Sequence, residues 1–123
     1  EIVDHLNINS AKIAVIYEGV SEFSSKGTST KRYTLDAKRY FLYVGNAFPH
    51  KNLERLLQAF SILNPDAKLV LIGKEDYFYK RLKKKVEDLD LADKVIFLQN
   101  VSDEELSNLY KNAIALILPS LME

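Results

Sequence analysis

From residue 40 onward, the sequence alternates short apolar runs with longer amphipathic stretches. The four apolar runs are YFLYVG at 40–45, KLVLIG at 68–73, KVIFL at 94–98 and AIALIL at 113–118. Because these runs are apolar throughout rather than at every second position, they predict strands that are buried on both faces. Alternation of such strands with helices predicts a parallel sheet with helices on both faces and right-handed crossovers. We therefore predict an α/β, Rossmann-like fold with the strand order 3-2-1-4.

The stretches between these runs predict three helices, because their apolar residues recur at the spacing of one helix face. Asp76 is the predicted N-cap of the second helix, and Ser102 with Glu105 has capping-box spacing at the start of the third. The first predicted helix covers 52–63, with Leu53, Leu56, Leu57 and Phe60 facing inward. The second covers 76–89, with Phe78, Leu82, Val86 and Leu89 facing inward. The third runs from 102 to about 112, and its inward residues are Leu106, Leu109, Tyr110 and Ala113.

The first part of the chain has a different character. IAVIY at 13–17 predicts a short strand, and the Ser- and Thr-rich stretch that follows predicts an exposed loop or linker. We therefore expect residues 1–34 to be the end of a preceding domain with its linker, and residues 35–123 to be part of one α/β domain. The chain lacks an initiator Met and stops soon after an apolar run, so we expect both ends to be cuts through a longer polypeptide.

Composition argues against several classes of function. Lys and Arg number 17 and Asp and Glu number 17, so the net charge is zero and a dedicated nucleic-acid binder is not expected. The chain has no Cys, which excludes disulfides and Cys-based zinc sites, and His5 and His50 are too far apart in sequence to suggest a metal site. No apolar run approaches the ~18 residues that span a bilayer, and the N-terminus is not a signal peptide, so we expect a cytoplasmic protein.

The expected ligand site lies at the carboxyl ends of the strands, where the strand order reverses. With the predicted order, this place is beside the loops GNAFPHK at 45–51 and PSLME at 119–123. The helix that begins near Asn52 has unpaired N–H groups and the positive end of its dipole there, and Lys51 adds a full positive charge. These features suit a phosphate group. Because the loop has one Gly, it is neither a dinucleotide fingerprint nor a P-loop, and a solvated Lys near a helix start is the alternative.

Four segments, taken in order, resemble a known family. They are KIAVIYEGVSEF, YVGNAFPHKNLERLLQAF, KLVLIG and VIFLQNVSDEELSNLYKNAIALILPSLME, which cover most of residues 11–123. Together they resemble the C-terminal domain of the GT-B glycosyltransferases, and most closely the large retaining family numbered family 4. The resemblance implies that residues 35–123 are part of a domain that binds a nucleotide-diphosphate sugar donor. It also implies that the N-terminal domain, which is missing from this sequence, binds most of an acceptor whose identity stays open.

The resemblance assigns roles to individual residues. Lys51 matches the residue that contacts the donor diphosphate, and Gly45 with Asn46 begins the loop that would cradle the phosphates. Glu123 matches the first Glu of the family's paired-Glu motif, which hydrogen-bonds hydroxyls of the donor sugar, and it is the candidate catalytic residue. The further candidates are Gly73 and Lys74 near the nucleotide, and Asn100 and Val101 near the base.

The mechanism that the resemblance implies is transfer with retention at the anomeric carbon. The protein would stabilise the charge that builds on the departing diphosphate, with no nucleophile from this domain and with no divalent metal or other cofactor. Asn46 stands where many members carry Arg or Ser, so a bidentate phosphate contact is absent and Lys51 is the main cation. The sequence stops at Glu123, before the glycine-rich loop and the second Glu of the motif.

Other interpretations stay open on the sequence. One is a non-catalytic α/β nucleotide-binding or interaction module, and another is a sugar-nucleotide epimerase of GT-B type. KRLKKK at 80–85 lies on an amphipathic helix and indicates a solvated basic face, with peripheral contact to an anionic membrane as the alternative. Asp103, Glu104 and Glu105 are explained by a helix N-terminus without a catalytic role. His50 either touches the ligand or is a surface or packing residue.

Overall fold

The computed structural model describes residues 9–14 and 39–122 of the chain. Its strands are β1 (Tyr40–Val44), β2 (Lys68–Ile72), β3 (Val95–Leu98) and β4 (Ala115–Leu116), and its helices are α1 (Leu53–Leu63), α2 (Tyr77–Asp88) and α3 (Asp103–Asn112). Two short 3-10 turns lie at Ser10–Lys12 and Pro49–Lys51. The predicted strand–helix alternation from residue 40 onward is therefore confirmed.

Most of the predictions for the start of the chain lie outside the described residues. Ile13 and Ala14, the first two residues of the predicted strand, follow the 3-10 turn and are not in a strand. The rest of that strand and the predicted domain boundary between residues 34 and 35 are not among the described residues.

The four strands form one parallel sheet in the order β3-β2-β1-β4, which confirms the predicted Rossmann-like topology. β1 pairs with β2 along its whole length and with β4 through Phe41 and Leu42. The strand order reverses beside β1, because the chain moves from β1 to β2 and β3 on one side and then returns to β4 on the other. The carboxyl ends of β1 and β4 are consequently neighbours.

Helices cover both faces of the sheet, as predicted. α1 and α2 pack on one face and α3 packs on the other, and successive residues of β2 alternate between the two cores because strand side chains point to opposite faces. The first core contains Tyr43, Ala47, Leu53, Leu57, Phe60, Leu69, Leu71, Tyr79, Leu82, Val86, Leu91 and Val95, and the second contains Tyr40, Leu42, Val70, Ile72, Leu98 and Leu109.

The helix starts agree with the caps that the sequence predicts. The Asp76 carboxylate accepts a hydrogen bond from the Tyr79 N–H at 2.9 Å, which satisfies one unpaired donor of the first turn of α2. Ser102 and Glu105 form the reciprocal capping box at the start of α3. α1 begins differently, since Asn52 precedes it in a left-handed conformation with φ 58° and makes no side-chain cap.

Three aromatic residues depart from the predicted helix faces. Tyr110 was expected to face inward, but it is 38% exposed. It lies about 100° around α3 from the buried Leu109, and α3 covers the second core with only a narrow stripe of side chains. Tyr79 was not among the inward residues of α2, yet it is 1% exposed. Its neighbour Phe78, which was expected to face inward, is only half-buried.

β4 is the strand that differs most from prediction. A strand was expected over residues 113–118 and was expected to be buried on both faces, whereas only Ala115–Leu116 pairs as a strand. The side chains of Ile114, Leu116 and Leu118 are 47%, 44% and 63% exposed. This prediction is wrong for the described part of the chain because β4 lies at the edge of the sheet there, paired with β1 alone.

Candidate functional site

The loops that follow β1 and β4 meet at the carboxyl edge of the sheet. We call residues 45–52 the β1 loop and residues 117–122 the β4 segment. The Asn52 side chain donates from Nδ2 to the Pro119 carbonyl at 3.1 Å, and the Leu121 N–H donates to the His50 carbonyl at 2.8 Å. These two hydrogen bonds join the places where the sequence puts the candidate phosphate and sugar contacts.

The first residues of the β1 loop are fixed from inside the protein. Gly45 has φ +152°, a conformation that L side chains rarely adopt, and its N–H donates to the Ile72 carbonyl at 2.9 Å. The Tyr79 hydroxyl donates to the Gly45 carbonyl at 2.8 Å, and the Tyr43 hydroxyl donates to the Asn46 carbonyl at 2.6 Å. Both carbonyls therefore point toward buried phenol groups.

Gly73 lies directly beside the β1 loop, because β1 and β2 end at the same level. A Cβ at Gly73 would approach the Tyr79 hydroxyl to 2.2 Å and the Gly45 carbonyl oxygen to 2.3 Å. Packing therefore requires a glycine here, independently of any ligand. The structure brings Gly45, Asn46 and Gly73 together at the ends of adjacent strands, and their contact with a nucleotide stays a prediction.

Lys51 ends the 3-10 turn that leads into α1. Its N–H donates to the Phe48 carbonyl at 2.9 Å, and its side chain is half-buried. Asn52 follows in the left-handed conformation and uses its side chain to bind Pro119 instead of capping α1. The first turn of α1 consequently has no side-chain cap from Asn52, and the positive end of its dipole lies next to Lys51 at the β1–β4 reversal.

The loop after β2 contains a second cation, Lys74, whose side chain is exposed. The neighbouring Glu75 is engaged in the protein, since it pairs with Lys83 of α2 and accepts a hydrogen bond from Gln99 Nε2 at 2.7 Å. The hydrogen bond from Lys83, followed by that from Gln99, holds the pKa of the Glu75 carboxyl below its usual range. The sequence did not single out this network, because its members come from three separate elements.

Asn100 and Val101 lie after β3, two strands away from β1. Asn100 is exposed and has the left-handed conformation, with φ 52°. The half-buried Val101 side chain packs against the second core together with Leu106. This is the hydrophobic staple that accompanies the capping box, and it gives Val101 a packing role whether or not the base lies near it.

A cavity that the sequence did not predict lies between the β1 loop and α2. It has a volume of about 230 Å³, and its lining includes Phe48 and Phe78, whose rings meet edge to face at 5.5 Å. Arg81 and Glu54, which also line it, form an ion pair at 2.8 Å. The ring of the exposed His50 lies 6.0 Å from that of Phe48, in a tilted contact.

Ser120 is a second feature of the site that the sequence did not predict. Its Oγ is buried and has no hydrogen-bond partner among the described residues. Leaving a buried hydroxyl unsatisfied costs roughly 1–3 kcal/mol, so a water or ligand atom is the natural partner for it. Ser120 lies between the two residues of the β4 segment that bind the β1 loop, Pro119 and Leu121.

Glu123, the candidate catalytic residue, lies outside the described residues. Within residues 9–14 and 39–122, no group of three or more acidic or His side chains is arranged to hold a metal ion. No helix in the same part of the chain has the length and apolar character needed to cross a bilayer. The predictions of metal independence and of a cytoplasmic location stay predictions.

The fold and the joined loops define a class, the doubly wound α/β domains in which ligands bind where the strand order reverses. Comparison with known proteins identifies the family within that class. The family model described as "Glycosyl transferases group 1" matches residues 26–123. This chain therefore belongs to the group 1 glycosyltransferase family, and the resemblance to the C-terminal domain of GT-B enzymes is confirmed.

Individual relatives agree with the family match. The O-antigen chain mannosyltransferase of Salmonella typhimurium is 38% identical over 120 residues, covering 95% of this chain and 31% of the relative. An uncharacterized glycosyltransferase of Methanocaldococcus jannaschii is 28% identical over 138 residues, covering 100% of this chain and 34% of the relative. The chain thus spans about a third of the length of these curated relatives.

A solved structure shares the fold. Sucrose-phosphate synthase from Thermosynechococcus elongatus superposes on this chain with a TM-score of 0.63, and the two are 28% identical in sequence. The match covers 70% of this chain and 23% of that protein.

Proposed function

We propose that this chain forms most of the nucleotide-sugar donor-binding half of a retaining glycosyltransferase. Family membership supports a glycosyl transfer reaction for the whole protein. The observation that carries the proposal is the junction of the β1 loop with the β4 segment at the N-terminus of α1. Lys51 lies in the β1 loop, the first turn of α1 follows that loop in sequence, and the β4 segment leads to Glu123. A cation beside the N–H donors of a helix start suits a sugar diphosphate.

The diphosphate binds at the β1 loop in this proposal. Lys51 supplies the positive charge, and the first turn of α1 supplies N–H donors and the positive end of its dipole. Asn46 offers no guanidinium, so neutralisation of the phosphates depends on Lys51 and on backbone donors. These fixed donors stabilise the charge that grows on the diphosphate as the bond to the sugar breaks, without reorganisation during the reaction.

The remaining contacts follow the order of the strands. Glu123, two positions beyond Leu121, hydrogen-bonds hydroxyls of the donor sugar and holds the anomeric carbon in place. The nucleotide extends from β1 toward β2 and β3, past Gly73 and Lys74, and its base lies near Asn100 and Val101. In this proposal no side chain of the domain acts as a covalent nucleophile, and no divalent metal is required.

The acceptor and the donor sugar depend on parts of the protein beyond this domain. A separate N-terminal domain would bind the acceptor and close over the donor. The similarity to an O-antigen chain mannosyltransferase makes mannose-bearing nucleotide sugars the first donors to test. Since the chain spans about a third of that relative, we expect the isolated chain to bind nucleoside diphosphate weakly and to transfer no sugar.

The test is a screen of the full-length protein against nucleotide sugars that vary in base and in sugar, with and without EDTA. We expect release of nucleoside diphosphate for one donor class, undiminished by EDTA, and a product whose anomeric configuration, read by NMR, equals that of the donor. An inverted product would reject the retaining mechanism. Binding of a nucleotide without turnover would indicate a binding module, and a change of sugar stereochemistry within the nucleotide sugar would indicate an epimerase.

A further inference from the structure

Two buried tyrosines hold successive carbonyl groups of the β1 loop. The Tyr79 and Tyr43 side chains are each 1% exposed, and their hydroxyls donate to the carbonyls of Gly45 and Asn46 at 2.8 and 2.6 Å. We propose that Tyr79, assisted by Tyr43, is a positioning residue for the donor diphosphate, because it fixes the direction in which the backbone N–H groups of the β1 loop point. The inference rests on the proposed function.

The planar peptide bond fixes the direction of each N–H group relative to the preceding carbonyl group. In a trans peptide the C=O and N–H groups point in opposite directions. The Gly45 carbonyl points to the Tyr79 hydroxyl, which lies at the end of β2 beside Gly73. The Asn46 N–H, in the same peptide unit, therefore points away from the Tyr79 hydroxyl.

These two backbone N–H groups, of Asn46 and Ala47, are not used by hydrogen bonds within the described part of the chain. The Asn46 side chain accepts instead from the Phe48 N–H, at 3.4 Å. Consecutive backbone N–H groups in a loop form a concave donor site for anions, so their direction decides whether they reach a pyrophosphate.

Tyr79 is well placed to keep this direction fixed. Its own N–H is held by the Asp76 cap, and its ring packs edge to face against Phe97 of β3 at 6.1 Å. Burial raises the pKa of the Tyr79 phenol, so the hydroxyl stays protonated and remains a donor at physiological pH. The tyrosine thus connects α2 and the end of β2 to the loop that follows β1.

The experiment uses Tyr79→Phe in the full-length protein, with Tyr40→Phe as the matched control. Tyr40 is also buried, at 3% exposure, and its hydroxyl donates to the Leu109 carbonyl at 2.8 Å, on the other face of the sheet. Both variants keep the ring and lose one buried hydrogen bond. Calorimetry measures Kd for a nucleoside diphosphate and for the matching nucleoside without phosphates, and thermal unfolding shows that each variant is folded.

We expect Tyr79→Phe to weaken nucleoside diphosphate binding roughly tenfold, the scale of one misplaced hydrogen bond, with nucleoside binding unchanged. Tyr40→Phe should leave the ratio of the two dissociation constants at the wild-type value. If Tyr79→Phe leaves that ratio unchanged, or weakens both ligands equally, the positioning role is wrong while the proposed function stands. If wild-type protein binds the nucleoside diphosphate no better than the nucleoside, the proposed function and this inference fail together.

Discussion

The proposed donor site, which we call the crevice, lies between the β1 loop and the β4 segment, and its two sides are built in different ways. On the β1–β2 side, the loop after β1 is held by two buried phenol groups and closely packed against Gly73. On the β4 side, a two-residue strand with an exposed Leu116 continues into a segment that is attached to the β1 loop through Asn52 and a backbone hydrogen bond. The first side is preorganised by the core, whereas the position of the second depends on a few polar contacts at the surface.

The difference has a functional meaning under the proposed function. Phosphate binding gains from donors that are fixed before the ligand arrives, since no reorganisation is needed as charge develops. The following variants test the comparison, in order from the largest expected effect to the smallest.

Leu71→Ala and Leu116→Ala compare the two sides directly. Leu71 of β2 is 0% exposed, and Leu116 of β4 is 44% exposed. We expect Leu71→Ala to lower the free energy of unfolding by about 2–5 kcal/mol, since it leaves a cavity in a packed core. Leu116→Ala should cost less than about 1 kcal/mol, because much of its side chain already contacts water. Urea unfolding measures both, and equal losses would contradict the comparison.

Lys51→Ala tests the charge at the crevice. We expect donor kcat/KM in the full-length enzyme to fall roughly 10- to 100-fold, since hydrogen bonds to charged groups are worth about 1.5–3 kcal/mol. Lys84→Ala is the control, because Lys84 is an exposed cation on α2. Donor kinetics that are unchanged in Lys51→Ala, or equally reduced in both variants, would argue against the phosphate assignment.

Gly73→Ala tests the packing that fixes the β1 loop. The new methyl group would lie 2.2 Å from the Tyr79 hydroxyl and 2.3 Å from the Gly45 carbonyl oxygen. Overpacking of this kind costs about 1–3 kcal/mol, and here it should also displace the loop and weaken nucleoside diphosphate binding.

Adding Tyr79→Phe to Gly73→Ala provides the control. It removes the hydroxyl but leaves the clash with the Gly45 carbonyl oxygen and with the ring carbon Cζ, 2.5 Å away. We therefore expect the double variant to recover only part of the lost stability, measured by urea unfolding. Full recovery would mean that the hydroxyl alone, rather than the strand ends, sets the requirement for glycine.

The sequence predicts the β1–β2 side of the fold better than the details of the site. Apolar runs that alternate with helices indicated a doubly wound sheet, and the usual strand order of that fold is the one found. The caps at Asp76 and Ser102 marked the helix starts because cap signals are local. The hydroxyl contact of Tyr79 could not be read from spacing, since it depends on which strand end meets α2 in space. The predicted burial of 113–118 was wrong because an apolar run does not reveal how many neighbours a strand has.

The smallest effect is expected at Asn52, where the two sides are joined. Asn52→Gly keeps the left-handed backbone available and removes only the side-chain bond to the Pro119 carbonyl, so stability should change by less than about 1 kcal/mol. The Leu121 N–H, which donates to the His50 carbonyl, should nevertheless exchange with solvent faster, because the β4 segment has lost its side-chain hydrogen bond to the β1 loop.

Asn64→Gly is the matched control for this variant. Asn64 follows the C-terminus of α1, at the opposite end of this helix from Asn52, and is also left-handed, with φ 40°. Its side chain accepts a hydrogen bond from Lys94. Hydrogen exchange of the Leu121 amide should therefore be faster in Asn52→Gly and unchanged in Asn64→Gly. If exchange at Leu121 is the same in both variants and in the wild type, the β4 segment is held by its backbone alone, and the two sides of the crevice differ less than their hydrogen bonds indicate.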